Sequence, residues 1–324
     1  MRWRKLGKVF DPDTHGLPAG CVGWAQSPQP LVLEDRVRIY FSTRRLDPAA
    51  EGKYLSHVAY VDMTKDLETV LGVADEPVID LGALGTFDEH GIFPMHVVPV
   101  GDALYGYTTG WSRRASVSVE TGIGLAVSRD GGRSFERAGD GPVLSATTHE
   151  PFLVGDGHVR RVGDRFHMWY IFGTDWKRYA PDREPDRTYR IGHAESADGI
   201  HWTKGGEGRP IVADVLGEEE CQALPSVVEI DGRHHMVFCF RHSYDFRTNP
   251  ERGYRIGHAW SDDLRTWTRD DATLTVQPTA GDWDSDMLCY PNVFAVDGPP
   301  TRVYLLYNGN AFGRHGFGAA ILER

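Results

Sequence analysis

Short runs of apolar and aromatic residues alternate along the chain with clusters of Gly, Asp, Asn and Pro. No long stretch carries the 3.6-residue period of an amphipathic helix. The pattern therefore predicts an all-β protein of short strands joined by tight turns. It also repeats. Each copy holds an acidic cluster, an apolar run, a Gly or Asp turn, and a second, more aromatic run. The copies lead from Trp24-Ala25-Gln26-Ser27-Pro28 to VRIYFSTRR, from Phe87-Asp88-Glu89-His90 to ALYGYTTGW, and from His149-Glu150-Pro151-Phe152 to FHMWYIFG. The last two run from Glu218-Glu219-Glu220-Cys221 to HHMVFCFRH and from Asp284-Ser285-Asp286 to RVYLLYNGN.

The copies share a register. Pro28, Pro94, Pro225 and Pro291 stand seven residues before the turn residues Asp35, Gly101, Gly232 and Gly298, and counting back from Gly163 puts Asp156 in the proline slot of the third copy. The steps are 66, 62, 69 and 66 residues. Half-repeats follow at TGIGLAVSRDGGRSFERA, YRIGHAESADGIHWTKG and YRIGHAWSDDLRTWTRD, where Asp-Gly or Asp-Asp turns the chain. One such sheet cannot bury both its faces alone, so repeats of this length predict propeller blades. The expectation is a five-bladed β-propeller of four-stranded antiparallel blades, one domain over residues 1–324. Only the start of the half-repeat remains at the C-terminus, and Trp3 to Phe10 reads as a strand without a hairpin partner. The two ends are expected to share a blade and close the ring.

Composition fits this picture: 37 Gly, 19 Pro and 11% aromatic residues suit many short strands and turns. A net charge of −11 argues against nucleic acid or an anionic membrane as partner, and no apolar run is long enough to span a bilayer. MRWRKLGKVF lacks the apolar core of a secretory signal, and Cys21, Cys221, Cys239 and Cys289 form no CxxC pair. The expected location is the cytoplasm.

In a propeller the first residues of the inner strands and the last residues of the second strands meet at one mouth of the channel. Counting six back from the proline slot gives Val22, Asp88, Glu150, Glu219 and Ser285; five back gives Gly23, Glu89, Pro151, Glu220 and Asp286. Carboxylates grouped in a cleft push their pKa values apart, which suits one as acid and another as base in glycosidic cleavage. Asp88, Glu150, Glu219 and Glu220 are thus the candidate catalytic residues. Candidate substrate contacts are Arg44, Arg45, Glu89, His90, Trp111, His149, Trp176, Arg241, His242, Asp286, Asn308 and Asn310, whose guanidinium, amide, acidic and aromatic groups suit sugars. Acidic residues at strand starts also serve as plain turn formers. His57, His193 and His258 share one slot of the half-repeat and read as architecture, as do the Ser-x-Asp-Gly turns at Ser128 and Ser196. No HxH or HExxH spacing supports a metal at His90 and His149, and no cofactor is expected.

With its IGxAxSxDGxxW half-repeats and acidic strand starts, the whole chain resembles the five-bladed propeller glycosidases: the arabinanase/xylosidase, invertase/levansucrase and β-mannoside phosphorylase relatives, and their uncharacterised bacterial members. The resemblance implies a carbohydrate-processing enzyme with an aspartate base from the first blade, an aspartate from the third and a glutamate acid from the fourth. Glu150 matches the third place and Glu219 or Glu220 the fourth. The first blade offers Val22 and Gly23, so Asp88, or Asp11 or Asp13 bending back, takes that role. A hydrolase of small sugar-like substrates is the leading expectation. The alternatives are a phosphorylase, transferase or biosynthetic lyase or cyclase on the same pocket, and a non-catalytic sugar-binding propeller.

Overall fold

The computed structural model describes residues Met1 to Glu323. Its strands fall into four-stranded antiparallel units, each following the repeat. Unit one comprises Gln26–Val32, Val37–Leu46, Tyr54–Met63 and Val70–Val73; unit two comprises Gly91–Val100, Ala103–Arg113, Val119–Ser128 and Glu136–Arg137. One parallel bridge, Ser56 to Gly91, joins these two into an eight-stranded sheet. Unit three is Val154–Val162, Arg165–Lys177, Asp186–Ser196 and Thr203–Lys204, and unit four is Glu220–Ile230, Arg233–His242, Arg255–Ser261 and Thr268–Arg269. In unit five Cys289–Val296, Arg302–Asn308 and Phe317–Glu323 are completed by Arg2–Phe10, which pairs antiparallel with the last strand from Arg2↔Glu323 to Phe10↔Phe317.

The core lies between units rather than within them, because each sheet buries its faces against its neighbours. Tyr40, Ile92 and Met95 pack between units one and two; Tyr107, Ile123 and Tyr170 between two and three; Trp169, Ile191 and Phe238 between three and four. Val237, Val293 and Leu305 join units four and five, and Phe41, Phe317 and Tyr304 join five and one. Ser-x-Asp turns reinforce these seams. The Ser128, Ser196 and Ser261 hydroxyls accept the N–H of Gly132, Gly199 and Leu264, all at 2.9 Å. The carbonyls of these three residues then accept from Tyr40, Tyr107 and Trp169 of the preceding unit at 2.8, 2.8 and 3.3 Å.

Every first strand carries a bulge at one place, where two residues stand opposite one partner: Ser27-Pro28, Phe93-Pro94, Asp156-Gly157, Leu224-Pro225 and Tyr290-Pro291. This corrects the register of the third copy. Its hairpin arm after the bulge spans His158 to Val162 where that of unit two spans Met95 to Val100, one residue longer. Gly157 fills the proline slot there, and Asp156 precedes it. The consequence is large, because bulges re-aim side chains. Ser27, Asp156, Leu224 and Tyr290 all hold positive φ, a conformation that Asp tolerates better than most side chains.

Candidate active site

The recurrent strand-start carboxylates do not converge. Each pairs with a cation on the outermost strand of its own unit. Asp88 accepts two bonds from Arg137, at 2.6 and 3.0 Å, and one from the Thr86 hydroxyl. Glu150 accepts from Lys204 and from the Tyr170 hydroxyl at 2.9 Å. Glu220 holds Arg269 at 2.6 Å, the Gln222 amide, and the Val215 and Leu216 N–H groups. In unit five Asp284 holds Lys5 at 2.5 Å and the Tyr307 hydroxyl. All four carboxylates are buried. Arg137, Lys204, Arg269 and Lys5 occupy one ladder position, each opposite an alanine: Ala126, Ala194, Ala259 and Ala320. Unit one has Val22 and Gly23 at its strand start and VLGV as its outer strand, so it lacks both halves of the clasp. Acid and base are present together or absent together, as an intra-unit clasp requires.

The other expected contacts also separate. Glu219 pairs at the surface with Arg252 at 3.1 Å and Lys177 at 3.9 Å. Glu89 accepts from the Gly85 N–H and stands 3.4 Å from His90, whose ring stacks on Trp111. Arg45 reaches outward to the Ala19 carbonyl and Glu76. His149 shares an outer groove with Glu150 and Lys204. Trp176 lies under Arg187, and His242 is half-buried next to Arg241. Asn308 ties unit five to unit one through the Ser27 N–H and the Ala25 carbonyl, both at 2.8 Å. Asp286 and Asn310 hydrogen-bond to each other in a loop. Arg44 and Trp111 are the two expected residues that do line the central cavity.

That cavity, about 420 Å³, draws on the bulge of four first strands through Phe93, Asp156, Leu224 and Tyr290, a size suited to a small molecule. Trp24, Trp111, Tyr54 and Phe312 supply flat apolar faces, and Tyr189 and Tyr254 offer hydroxyls 2.9 Å apart. Asp156 is the one carboxylate among the described lining residues. It is 7% exposed, and its Oδ2 accepts the Leu224 N–H at 3.3 Å while its own N–H donates to the Thr109 hydroxyl. Burial pushes its pKa up to about 7, against the smaller pull of the Leu224 N–H and the Arg187 charge. A carboxyl near neutrality can both give and take a proton. Arg44, Arg187 and Arg247 also line the cavity, and none of them forms an ion pair among the described residues. Asp156 is not among the sequence candidates: the count from the turn puts it in the proline slot, which Gly157 occupies, and it stands one residue earlier, where the bulge turns side chains inward. Arg187 and Tyr189 stand at the start of the third strand of unit three, Tyr254 stands just before that of unit four, and Arg247 lies in the loop ahead of it. Tyr189 and Tyr254 open the two YRIGHA half-repeats, a periodic signal that could have found them, whereas Arg187 and Arg247 have none.

Further along the first strands lies a buried polar belt with a member from each unit. Gln29 Oε1 contacts His96 Nδ1 at 3.1 Å and accepts from Asn292 Nδ2 at 2.8 Å; Ser226 donates to Asn292 at 3.1 Å. His96 packs on His158, ring centroids 4.2 Å apart. Burial lowers the pKa of His96 to about 4 and that of His158 well below its ordinary value.

The structure does not bring His90 and His149 into one metal-binding group among the described residues; His167, His193 and Glu195 form such a group near the outer edge. Arg265 already pairs with Glu195 at 2.6 Å. The His167–His193 contact recurs in unit four as His235–His258, both at 3.1 Å, where Trp260 replaces Glu195. It is a packing element of the repeat, consistent with the shared slot of His193 and His258 in the sequence.

The fold is similar to that of solved propeller glycosidases. A solved glycoside hydrolase superposes with a TM-score of 0.74, covering 99% of this chain and 93% of its own at 15% identity. No family model matches the sequence. The chain belongs to the same family as the uncharacterized protein Rv1502 of Mycobacterium tuberculosis (strain ATCC 25618 / H37Rv), with 34% identity over 334 residues covering 100% of both. A more distant relative, the beta-1,2-mannobiose phosphorylase of Thermoanaerobacter sp. (strain X514), is 26% identical over 139 residues, 40% of this chain and 43% of that protein. No helix among the described residues is long and apolar enough to cross a membrane.

Proposed function

We propose that this chain is a single-domain, five-bladed propeller enzyme that processes glycosides in the central cavity, with Asp156 as its acid. The fifth unit, made from both ends of the chain, and the apolar seams between all neighbouring units support a closed ring. The observation that carries the reaction is the single cavity carboxyl with a pKa of about 7. Hydrolysis by the usual pair needs two carboxyls, roughly 5–5.5 or 6.5–9.5 Å apart. Asp88, Glu150 and Glu220 are clasped elsewhere and supply no second one. One acid suffices when the acceptor brings its own nucleophilic oxygen. Asp156 gives its proton to the glycosidic oxygen as the bond to the anomeric carbon breaks. The acceptor oxygen forms the new bond to that carbon, and a proton from the acceptor or from solvent restores Asp156. Trp24 and Trp111 hold the apolar face of the ring. The partial similarity to a mannobiose phosphorylase supports such transfer over hydrolysis.

The test is turnover on a glycoside panel with and without inorganic phosphate or a sugar acceptor, for wild type, Asp156→Asn and Asp88→Asn. Turnover that requires an acceptor and falls about 10²–10⁴-fold in Asp156→Asn supports the reading. Hydrolysis without acceptor, or full activity in Asp156→Asn, overturns it. The lack of a second cavity carboxyl also suits a sugar-binding propeller, which would bind the panel without turning it over.

A further inference from the structure

We propose that the ligand of the central cavity is a sugar bearing its own oxyanion, a phosphate or a carboxylate, held by Arg44 and Arg247. The proposal rests on the sugar-processing reading of the same cavity. It starts from an imbalance of charge. In the seams and clasps of the fold a carboxylate answers the cation: Arg38 has Asp62 at 2.7 Å, Arg269 has Glu220 at 2.6 Å, and Arg137 has Asp88 at 2.6 Å, while buried Arg190 is met by the Gly217 and Glu218 carbonyls. The chain has 46 acidic residues against 35 basic ones, so carboxylates are not in short supply. In the cavity Arg44, Arg187 and Arg247 form no ion pair among the described residues; Arg44 and Arg247 are close enough to repel, while the one carboxyl present, Asp156, feels the Arg187 charge but has its ionisation opposed by burial.

Arg44 is built in. Its Nε and Nη2 both donate to Gln26 Oε1, at 3.1 and 2.7 Å, and Nη1 donates to the Ser56 hydroxyl. All these partners are neutral. Burial first, and then the nearby charge of Arg247, lower the pKa of Arg44, so the unliganded cavity disfavours the charge it carries. An oxyanion relieves that cost, and a guanidinium fork matches phosphate or carboxylate geometry. Behind the wall Arg241 is 3% exposed, has no carboxylate partner among the described residues, and donates to the Tyr189 hydroxyl at 2.8 Å. Because Arg241 can only donate, the protons of Tyr189 and Tyr254 remain for each other and for the cavity.

Calorimetric titration with matched sets decides the matter: methyl glycosides, 6-phosphates and uronic acids of glucose, mannose and galactose, with inorganic phosphate alone as a separate arm. Proteins are wild type, Arg247→Gln and Asp156→Asn; Arg247 is exposed, so its replacement leaves the fold intact. The expected result is a charged member binding about ten- to a hundredfold tighter than its neutral counterpart, with the phosphate and uronate arms identifying the oxyanion. Arg247→Gln abolishes most of that advantage, and Asp156→Asn keeps it. Turnover of Asp156→Asn therefore tests the catalytic reading separately. Equal affinity for neutral sugars, no binding by any charged sugar, a preference that survives Arg247→Gln, or inorganic phosphate binding that removes the difference would each overturn the proposal.

Discussion

The outer clasps and the central cavity use the same residue types to opposite ends. In a clasp such as Glu220–Arg269 the charges are buried together and every oxygen of the acid has a donor. In the cavity Arg44, Arg187 and Arg247 form no ion pair among the described residues, and Asp156 has one backbone donor for its carboxyl. A buried ion pair that is complete needs nothing further. An incomplete one carries a cost that a ligand could offset, and this contrast, more than residue type, is what the proposed function rests on.

The contrast can be broken by single substitutions. Asp156→Asn carries the largest expected effect, the loss of turnover described above, measured beside its thermal stability. The folded pKa of about 7 lies above the unfolded value near 3.8, so ionisation costs stability increasingly as pH rises from about 4 to 7. At pH 8 the Asn variant should therefore melt higher than wild type by several degrees, from a cost of at most about 4 kcal/mol. At pH 4 the two should melt alike. A lower melting temperature at pH 8 would show that Asp156 is structural.

Next comes Glu220→Ala, which strands Arg269 in the interior and should cost about 3–5 kcal/mol in chemical denaturation. Replacing both partners by apolar residues should cost much less, and ligand binding by the folded fraction should persist. A selective loss of binding with unchanged stability would return Glu220 to the active site. His96 gives an effect of opposite pH sense from Asp156. Its folded pKa of about 4 lies below the unfolded 6.5, so the stability tied to its neutral form is present above 6.5 and fades as pH falls toward 4. His96→Gln should flatten the melting profile over that window, and an unchanged slope would exclude the belt as its source. The smallest effect belongs to Glu219→Gln: its ion pairs are half-exposed, and a stability change within about 1 kcal/mol is expected.

Much of the fold was legible because its signals are local and periodic. Alternating apolar runs, Asp-Gly turns and the proline slot recur in every copy, and each depends on residues a few positions apart. The unpartnered segment from Trp3 to Phe10 does pair with the last strand. The site was far less legible. Recurrent carboxylates suggest convergence on one mouth, but a repeated residue meets the repeated residue of its own unit first. The cation that answers each acid was in plain view at Arg137, Lys204 and Arg269, about 50 residues downstream, and unit one lacks both.

The sequence by itself determined an all-β chain of repeated hairpin units with its two ends in one sheet, since spacing and turn chemistry act within a few residues. Only the tertiary structure decided which charges are satisfied. That depends on a one-residue bulge that turns Asp156 into the cavity, and on arginines brought there from separate units, where burial, not sequence position, sets the cost of a charge.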